Sequence, residues 1–192
     1  YRNGQLLNLS SLADDCGITH NTASAWISVL ETAYIVFLLR PHYKNFNKRL
    51  VKTPKLYFHD AGLVAFLCDI ESIDHVSNHA NKGQLFETFI INELLKKRYN
   101  SGLNSNLYFW RDKSGKEIDI IVEKAGTLYP VEIKSGQTIS TDFFKNIHSW
   151  NDLSNGNPEN SFIVYGGTTQ QRRNNIYVLP WNDMNHLKKI LL

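Results

Sequence analysis

Two consecutive strand-like stretches constrain the fold of this chain more than any other feature. They are Glu117–Glu123 and Leu128–Lys134, joined by a turn at Ala125-Gly126. If the hairpin is symmetric about that turn, Asp119 faces Glu132, and directly opposed side chains stand roughly 5 Å apart. Two carboxylates at that distance repel each other, whereas a divalent cation between them removes the repulsion. Hard oxygen ligands of this kind suit Mg²⁺ or Mn²⁺.

Alternation along the second strand adds a third group to this face. Glu132 and Lys134 are two residues apart and share one face of the strand, while Val131 and Ile133 point to the other. A lysine beside a metal-bound pair of carboxylates orients an attacking water or stabilises charge that builds on a phosphate. The hairpin is therefore a candidate site for hydrolysis at phosphorus.

A helix before the hairpin offers a further acid. The stretch Gly83–Tyr99 is strongly helical, and Glu87 falls between Ile91 and Leu94 inside its apolar stripe. An acid in that position needs a partner, which a metal ion would provide. Glu93 is flanked by apolar residues as well, so the helical pattern does not choose between the two acids. Each residue taken alone also fits an ordinary ion pair or edge-strand charge.

The first part of the chain has the pattern of a helix-turn-helix followed by a two-stranded wing. A short helix at Ser10–Cys16 precedes a longer helix at His20–Ala33, and two strands follow at Tyr34–Leu39 and Lys55–His59. The segment Lys44–Lys52 between these strands is basic. The second helix contains neither Lys nor Arg, the residues that most often read bases. Sequence-specific binding of nucleic acid is therefore not expected from it.

A polar stretch from Ile70 to Lys82 marks the predicted domain boundary. The division gives a winged-helix domain at 1–75 and a second domain at 82–192. In the second domain the predicted order is a helix, three strands, a helix, two strands and a terminal helix. The predicted fold class is α+β.

The net charge of +3 is too small to identify a partner, but its distribution is uneven. Between Thr32 and His59 there are six basic residues and no acidic residue, a local excess that attracts phosphates. A solvated basic hairpin is an equal alternative. The candidate phosphate contacts are Lys44, Lys48, Arg49, Lys52, Arg111 and Lys113.

Several sequence patterns that would indicate a membrane, a secretory pathway or ATP binding do not occur in the chain. No apolar run approaches the roughly 20 residues needed to span a bilayer, and no signal-peptide pattern is present. Cys16 and Cys68 are predicted to be free thiols in a reducing compartment. These features predict a cytoplasmic protein without a membrane partner. The phosphate-binding motif G-x-x-x-x-G-K-[ST] does not occur, so ATP binding is not expected of these residues.

The order of acids and lysine resembles a known superfamily. Glu117-Ile118-Asp119, a gap of 12 residues and then Glu132-Ile133-Lys134 are similar to the D…ExK signature of PD-(D/E)xK nuclease-like proteins. The whole chain also resembles the C-terminal region of prokaryotic AAA-type ATPases. The stretches that carry this second resemblance are Tyr57-Phe58-His59-Asp60-Ala61-Gly62, Gly83-Gln84-Leu85-Phe86-Glu87, Phe109-Trp110-Arg111, Glu117-Ile118-Asp119 and Val131-Glu132-Ile133-Lys134-Ser135-Gly136.

The resemblance implies a winged helix followed by an αβββαβ PD-(D/E)xK restriction-endonuclease-like domain. It implies Asp119, Glu132 and Glu87 as ligands of Mg²⁺ or Mn²⁺, Lys134 as the catalytic lysine, and a P-loop ATPase module elsewhere in the protein. The expected function is metal-dependent hydrolysis of phosphodiesters in nucleic acid, with DNA as the expected substrate. The alternative is a non-catalytic module that recruits DNA or a protein to the ATPase, because fold and motif alone do not show turnover.

Overall fold

The structure is a computed structural model that describes residues 2–43 and 50–190. Three predicted phosphate contacts, Lys44, Lys48 and Arg49, lie outside these described ranges. No helix in the described part of the chain is long and apolar enough to cross a membrane.

The described residues of the N-terminal part form four helices and a three-stranded sheet. Its helices begin at polar caps: the Asn8 side chain accepts from Ser11 N before the first helix, and Thr19 accepts from Thr22 N before the second. Gly17 ends the first helix in the left-handed conformation. The sheet has the order β1-β3-β2 and is antiparallel. The elements are β1 (Gln5–Leu6), α1 (Leu9–Cys16), α2 (His20–Thr32), β2 (Val36–Leu39), β3 (Lys55–Phe58), α3 (Ala61–Leu67) and α4 (Ile73–Asn78).

Two elements of this part were not predicted. Strand β1 has only two residues, too few for an alternating pattern to show. Helix α4 lies inside the stretch that the sequence predicted to be a polar linker. The Ser72 hydroxyl accepts from His75 N at 3.1 Å and caps this helix, and none of the helix residues is buried. A short helix without an apolar face gives no periodic signal.

The C-terminal part is a six-stranded mixed sheet with helices on both faces. The strand order is β4-β5-β6-β7-β9-β8, in which β6, β7 and β9 run parallel and the other neighbours are antiparallel. The α+β class is confirmed. The elements are α5 (Lys82–Tyr99), β4 (Leu107–Arg111), β5 (Glu117–Lys124), β6 (Thr127–Lys134), α6 (Lys145–Ser154), β7 (Phe162–Tyr165), β8 (Gln171–Arg173), β9 (Ile176–Pro180) and α7 (Asn185–Ile190).

The details of this part differ from the prediction in two places. Strand β8 was missed because it has three polar residues, none of them buried. A 3-10 turn at Thr141–Phe144, which the predicted order of elements does not contain, precedes the α-helix that begins at Lys145.

Each face of the large sheet has its own apolar core. Helix α5 packs Ile91 and Leu94 against one face, where they meet Val131 and Ile133 of β6. Helix α6 packs Trp150 with its neighbours against the other face. The α5-side core also contains Leu39 and Tyr57 from the N-terminal sheet. The two parts of the chain therefore share one core although their sheets are separate.

The β5–β6 hairpin is regularly paired near its turn but becomes irregular at the end that carries Asp119 and Glu132. Its ladder follows the predicted register from Lys124↔Thr127 to Ile120↔Val131. The pairing between β4 and β5 shifts register between Tyr108 and Trp110, which is the mark of a bulge in β5. Consequently Ile118 packs in the α6-side core while Ile120 packs in the α5-side core. The alternation of faces along β5 is broken at the residue between them, Asp119.

Candidate functional site

A cleft of about 480 Å³ opens at this end of the hairpin. Five charged side chains line it: Lys55, Glu87, Glu117, Asp119 and Lys134. The structure thus brings together three of the four predicted site residues at the cleft, and the fourth, Glu132, is buried directly behind it with no exposed surface. Lys55 and Glu117 are additions that the sequence analysis did not assign to the site.

Asp119 is held differently from the prediction. Its carboxylate does not stand as one rung of the ladder opposite Glu132; instead, Oδ2 accepts a hydrogen bond of 2.8 Å from the backbone N–H of Ile133. The physical reason is the bulge, which turns the side chain into the gap where β5 and β6 separate. A side chain in that gap lies at the boundary between the two faces of the sheet. The Asp119 charge therefore raises the pKa both of Glu87 on α5 and of Glu132, which lies on the α6 side of the sheet.

Glu132 lies on the α6 side of the sheet, as alternation with the buried Val131 and Ile133 requires. Its oxygens accept from Lys134 Nζ at 2.6 Å and from the Asn146 side chain of α6 at 3.3 Å. The pKa of Glu132 is raised to about 8, first by burial and then by the Asp119 charge, against the opposing effect of the Lys134 ammonium. Repulsion between the two acids is therefore present, but burial is the larger cause of the shift.

Glu87 approaches from the α5 side and is the acid of that helix that lines the cleft. Its Oε1 accepts from the Tyr57 hydroxyl and, at 3.3 Å, from Lys55 Nζ. Its pKa is raised to about 7, first by burial and then by the Asp119 charge, against the opposing effect of Lys55. Glu93, the other candidate, binds Lys96 at 3.0 Å and Lys188 at 3.6 Å, away from the cleft.

Lys55 reaches the cleft from the N-terminal part. Its ammonium contacts the carboxylate of Glu117, whose other oxygen binds Arg111 at 3.1 Å. Burial alone would lower the pKa of Lys55, but three surrounding acids hold it above its ordinary value. The sequence did carry a signal for this role: Lys55 alternates in β3 with Leu56 and so shares a face with Tyr57, which is wholly buried.

The acids of the cleft have the right donor chemistry for Mg²⁺ or Mn²⁺, since all are carboxylates. Their arrangement fits less well. Within residues 2–43 and 50–190, no three His, Cys, Asp or Glu side chains are grouped so that they could hold a metal ion. Glu87 and Glu132 lie on opposite sides of the sheet, and each is engaged by a lysine. Asp119 lines the cleft, whereas Glu132 has no exposed surface and is bound by Lys134 and Asn146.

Only some of the predicted phosphate contacts lie within the residues that the structure describes. Lys52 and Lys113 are exposed, and the bridge between Leu50 and Asp112 brings their segments to the same edge of the sheet. Arg111 is nearby but is paired with Glu117. Lys55, one of the six basic residues counted in the sequence, is buried and does not contribute to a phosphate-binding surface.

In comparisons with known proteins, a different family model matches each of the two parts. A model described as a domain of unknown function, DUF4143, matches residues 82–184, and another domain of unknown function, DUF8612, matches residues 1–74. The curated relatives include two uncharacterized mycobacterial proteins, Mb2031c of Mycobacterium bovis and Rv2008c of Mycobacterium tuberculosis. Each is 32% identical over 141 residues, which cover 73% of this chain and 31% of the relative.

The chain thus spans less than a third of the length of these relatives. No solved structure matches it. Because the first model covers more than half of the sequence, the family is established: the chain belongs to the DUF4143 family, whose domains are found in AAA-ATPase-associated proteins.

Proposed function

We propose that this chain is the nucleic-acid-processing part of an AAA-type ATPase, and that its cleft hydrolyses phosphodiester bonds with Mg²⁺ or Mn²⁺. The proposal includes a finer assignment of the fold. The order α5, three antiparallel strands, α6 and a strand parallel to β6 agrees with an αβββαβ nuclease-like core. Helices α1 and α2 followed by β2 and β3 agree with a winged helix.

One observation carries the proposal. Asp119, Glu132 and Lys134 converge where β5 and β6 separate, and a bulge places Asp119 there. Bulges are common beside active sites because they re-aim a side chain at the expense of regular pairing. Burying a carboxylate costs free energy unless a partner compensates its charge. Glu132 is nevertheless completely buried beside another acid, which a purely structural role in a sheet does not require.

The residues of the cleft have distinct tasks in this reaction. Asp119 and Glu132 would hold the divalent cation, which when bound supplies an activated water and stabilises charge on the phosphate. Lys134 is placed by its 2.6 Å contact with Glu132, and its side chain is 28% exposed, so it can reach a phosphate in the cleft. Asn146 fixes the Glu132 carboxylate from behind. Lys52 and Lys113 would contact the backbone of the nucleic acid outside the cleft.

A cleavage assay tests the proposal. The 192-residue chain is incubated with single-stranded DNA, duplex DNA and RNA, each with Mg²⁺ and with Mn²⁺. We expect cleavage of at least one substrate, and its loss in Asp119→Asn and in Lys134→Met. The asparagine retains an oxygen that accepts from Ile133 N, so a loss of activity will not reflect a lost backbone contact. Glu93→Gln changes an acid outside the cleft and should keep full activity.

A second candidate function, a non-catalytic binding module, is favoured by the surface of α2. This helix carries no Lys or Arg and exposes Trp26 and Val29 to 57% and 64%. Such a face suits contact with a protein better than contact with phosphates. Under this alternative, wild-type protein cleaves none of the substrates with either metal, and Asp119→Asn leaves any DNA binding unchanged.

A further inference from the structure

A second cavity adjoins the cleft at the edge of the large sheet where β6 and β7 end. It has a volume of about 550 Å³ and is bounded by residues 137–139 after β6, by residues 165–169 at and after the end of β7, and by Gln171 and Arg173 of β8. This space is termed the loop cavity. Because β6 and β7 are parallel, both of its loops lie at the carboxyl ends of strands, where open sheets of parallel strands commonly bind ligands.

The two loops are fixed by hydrogen bonds within the protein. The Gly166 N–H donates to Lys134 O at 3.0 Å and to Gly136 O at 3.1 Å, which ties the loop after β7 to the loop after β6. The Tyr165 hydroxyl donates to Thr169 O at 2.8 Å and accepts from Thr169 N at 3.1 Å, which closes the second loop on its own strand. A ligand therefore enters a cavity whose walls are already ordered, which lowers the entropic cost of binding.

The lining of the loop cavity has the chemistry of an anion site. No described residue of the lining is acidic. Arg173 is exposed, and its Nε donates to the neutral Gln171 Oε1 at 3.0 Å rather than to a carboxylate. The side chains of Gln137 and Thr168 form no hydrogen bond with any other described residue. An unneutralised guanidinium beside free amide and hydroxyl donors suits the oxygens of a phosphate group.

The neighbouring arginine shows that this availability is particular to Arg173. Arg172 binds Glu159 at 2.6 Å and lies 5.0 Å from the centre of the Tyr177 ring. In the β8–β9 ladder Arg173 pairs with Ile176, a residue of the α6-side core, so Arg173 lies on that face of the sheet and Arg172 on the other. Two adjacent arginines are thus separated into one that is paired and one that faces the cavity.

The loop cavity and the cleft share a wall. Gly136 lines the cleft and the next residue, Gln137, lines the loop cavity, and consecutive Cα atoms are about 3.8 Å apart. Lys134 in the cleft and Arg173 in the loop cavity therefore face two adjoining spaces. The aromatic residue of the lining, Tyr165, is only 3% exposed, so its ring offers little surface on which a base could stack. The arrangement favours a backbone of phosphates over a base.

We propose that the loop cavity binds a phosphate of a nucleic-acid strand that continues into the cleft. Arg173 supplies the charge at this phosphate, and Gln137 and Thr168 donate hydrogen bonds to it. The inference rests on the proposed function for the choice of nucleic acid as the ligand, but it requires neither a metal ion nor cleavage. Because the contacts are made to the backbone of the strand, binding is independent of sequence.

The salt dependence of binding tests the proposal. A short fluorescein-labelled oligothymidylate is titrated with the 192-residue chain in EDTA at several salt concentrations, and its anisotropy is followed. Arg173→Gln should weaken binding and reduce the slope of log K against log salt by about 0.7, the contribution of one phosphate contact on a single strand. Lys134→Met should reduce the slope by a similar amount. Arg172→Gln removes the same charge on the opposite face and should leave the slope unchanged.

The outcomes separate this inference from the proposed function. No binding by wild type, or equal slopes in wild type and Arg173→Gln, overturns the inference, whereas the proposed function survives if wild type cleaves with a metal. Equal reductions in Arg172→Gln and Arg173→Gln also overturn it, since overall charge would then explain both. An effect of Arg173→Gln without one of Lys134→Met overturns the continuous path into the cleft. Binding that depends on both residues, without cleavage in any metal, supports the inference and overturns the catalytic part of the proposed function.

A competition experiment distinguishes a strand from a free nucleotide, because the same donors also suit the phosphate of a nucleotide. Unlabelled oligothymidylate and dTMP are each used to displace the labelled probe. A strand held at two positions should be displaced only weakly by dTMP, which occupies one of them. Displacement by dTMP at the same phosphate concentration as by the oligothymidylate would make the loop cavity a mononucleotide site and overturn the inference.

Discussion

The N-terminal and C-terminal parts of the molecule are stabilised in different ways. The C-terminal sheet is covered on both faces, and its strands contribute many wholly buried side chains. The N-terminal part has a small core built on Ile27, Val36 and Leu56, and it exposes large apolar residues such as Phe66 and Ile73. A part with so small a core gains stability by docking, and here it docks on α5. Two parts that are separated by a polar stretch in the sequence can therefore still depend on each other for stability.

Strand β3 belongs to both parts. Leu56 and Phe58 point into the small N-terminal core, while Tyr57 points into the α5-side core and Lys55 into the cleft. The alternation of a single four-residue strand therefore joins the two parts, one face to each. Variants in and around this strand test how strongly the stability of each part depends on the other.

The largest expected effect is at Tyr57. Replacing Tyr57 with Ala removes a wholly buried ring from the core of the C-terminal part and a hydrogen bond from Glu87, and it should cost about 3–5 kcal/mol in the free energy of unfolding. Tyr43→Ala, at a side chain that is 69% exposed, should change it by less than about 0.5 kcal/mol. Urea unfolding of both variants measures the difference. Similar small losses would mean that β3 belongs to the N-terminal part alone.

The next effect is a dependence of stability on pH that belongs to the C-terminal part. The pKa of Glu132 is raised from 4.5 to about 8, so the folded protein holds this proton more tightly than the unfolded chain does. Its contribution to stability is complete below pH 4.5 and is lost as the pH rises towards 8. The loss should be on the order of 2 kcal/mol between pH 5 and 8.

The variant Glu132→Gln isolates this effect in thermal melts across that range. It removes the titrating group and should flatten the decline. Glu93→Gln is the matched control, because the Lys96 side chain lowers the pKa of Glu93 and its contribution has the opposite sign. A decline that is as steep in Glu132→Gln as in wild type would assign the pH dependence to other residues.

A smaller effect is expected where β7 meets the segment after Lys134. Gly166 N–H donates to Lys134 O at 3.0 Å, and a Cβ at Gly166 would lie 2.5 Å from Ser135 O. Gly166→Ala must therefore displace this backbone, at a cost of about 1–3 kcal/mol. Gly83→Ala, where a Cβ meets nothing within 4 Å, should be neutral or stabilising. Equal unfolding midpoints in guanidinium for the two variants would contradict the close packing.

The smallest effect is expected on the exposed surface of the N-terminal part. Phe66 is 75% exposed on α3, so Phe66→Ser should change the free energy of unfolding by about 0.5 kcal/mol or less. The result is read from the same urea titration as for Tyr57→Ala. A loss above 2 kcal/mol would show that this apolar surface is covered by another element of the protein in solution.

The hairpin illustrates how much of the site the sequence could predict. Alternation and turn symmetry predicted the register of β5 and β6 correctly from Ile120↔Val131 onwards, because these features depend on local residues alone. They did not predict the bulge at Asp119, which depends on pairing with β4. Periodicity also left Glu87 and Glu93 undecided. The choice depends on which residues of β3 lie opposite α5, and that is a matter of tertiary packing.

Lys55 is a second case in which the local sequence did not reveal the tertiary partners of a residue. Counting charges placed it in a basic stretch that attracts phosphates, whereas the structure buries it among acids that are 32 to 64 residues later in the chain. Charge composition describes a segment, but burial and partners belong to the fold. The sequence therefore predicted the elements better than it predicted which of them share a site.

The shared core has a consequence for the order of folding. Lys55 and Tyr57 are synthesised before α5, β5 and β6, so their partners do not yet exist when the N-terminal part leaves the ribosome. Contacts that close such long loops form late, since their entropic cost precedes their reward. The cleft is therefore expected to be among the last features to assemble. Until α5 has been synthesised, the face of β3 that carries Lys55 and Tyr57 stays exposed to solvent.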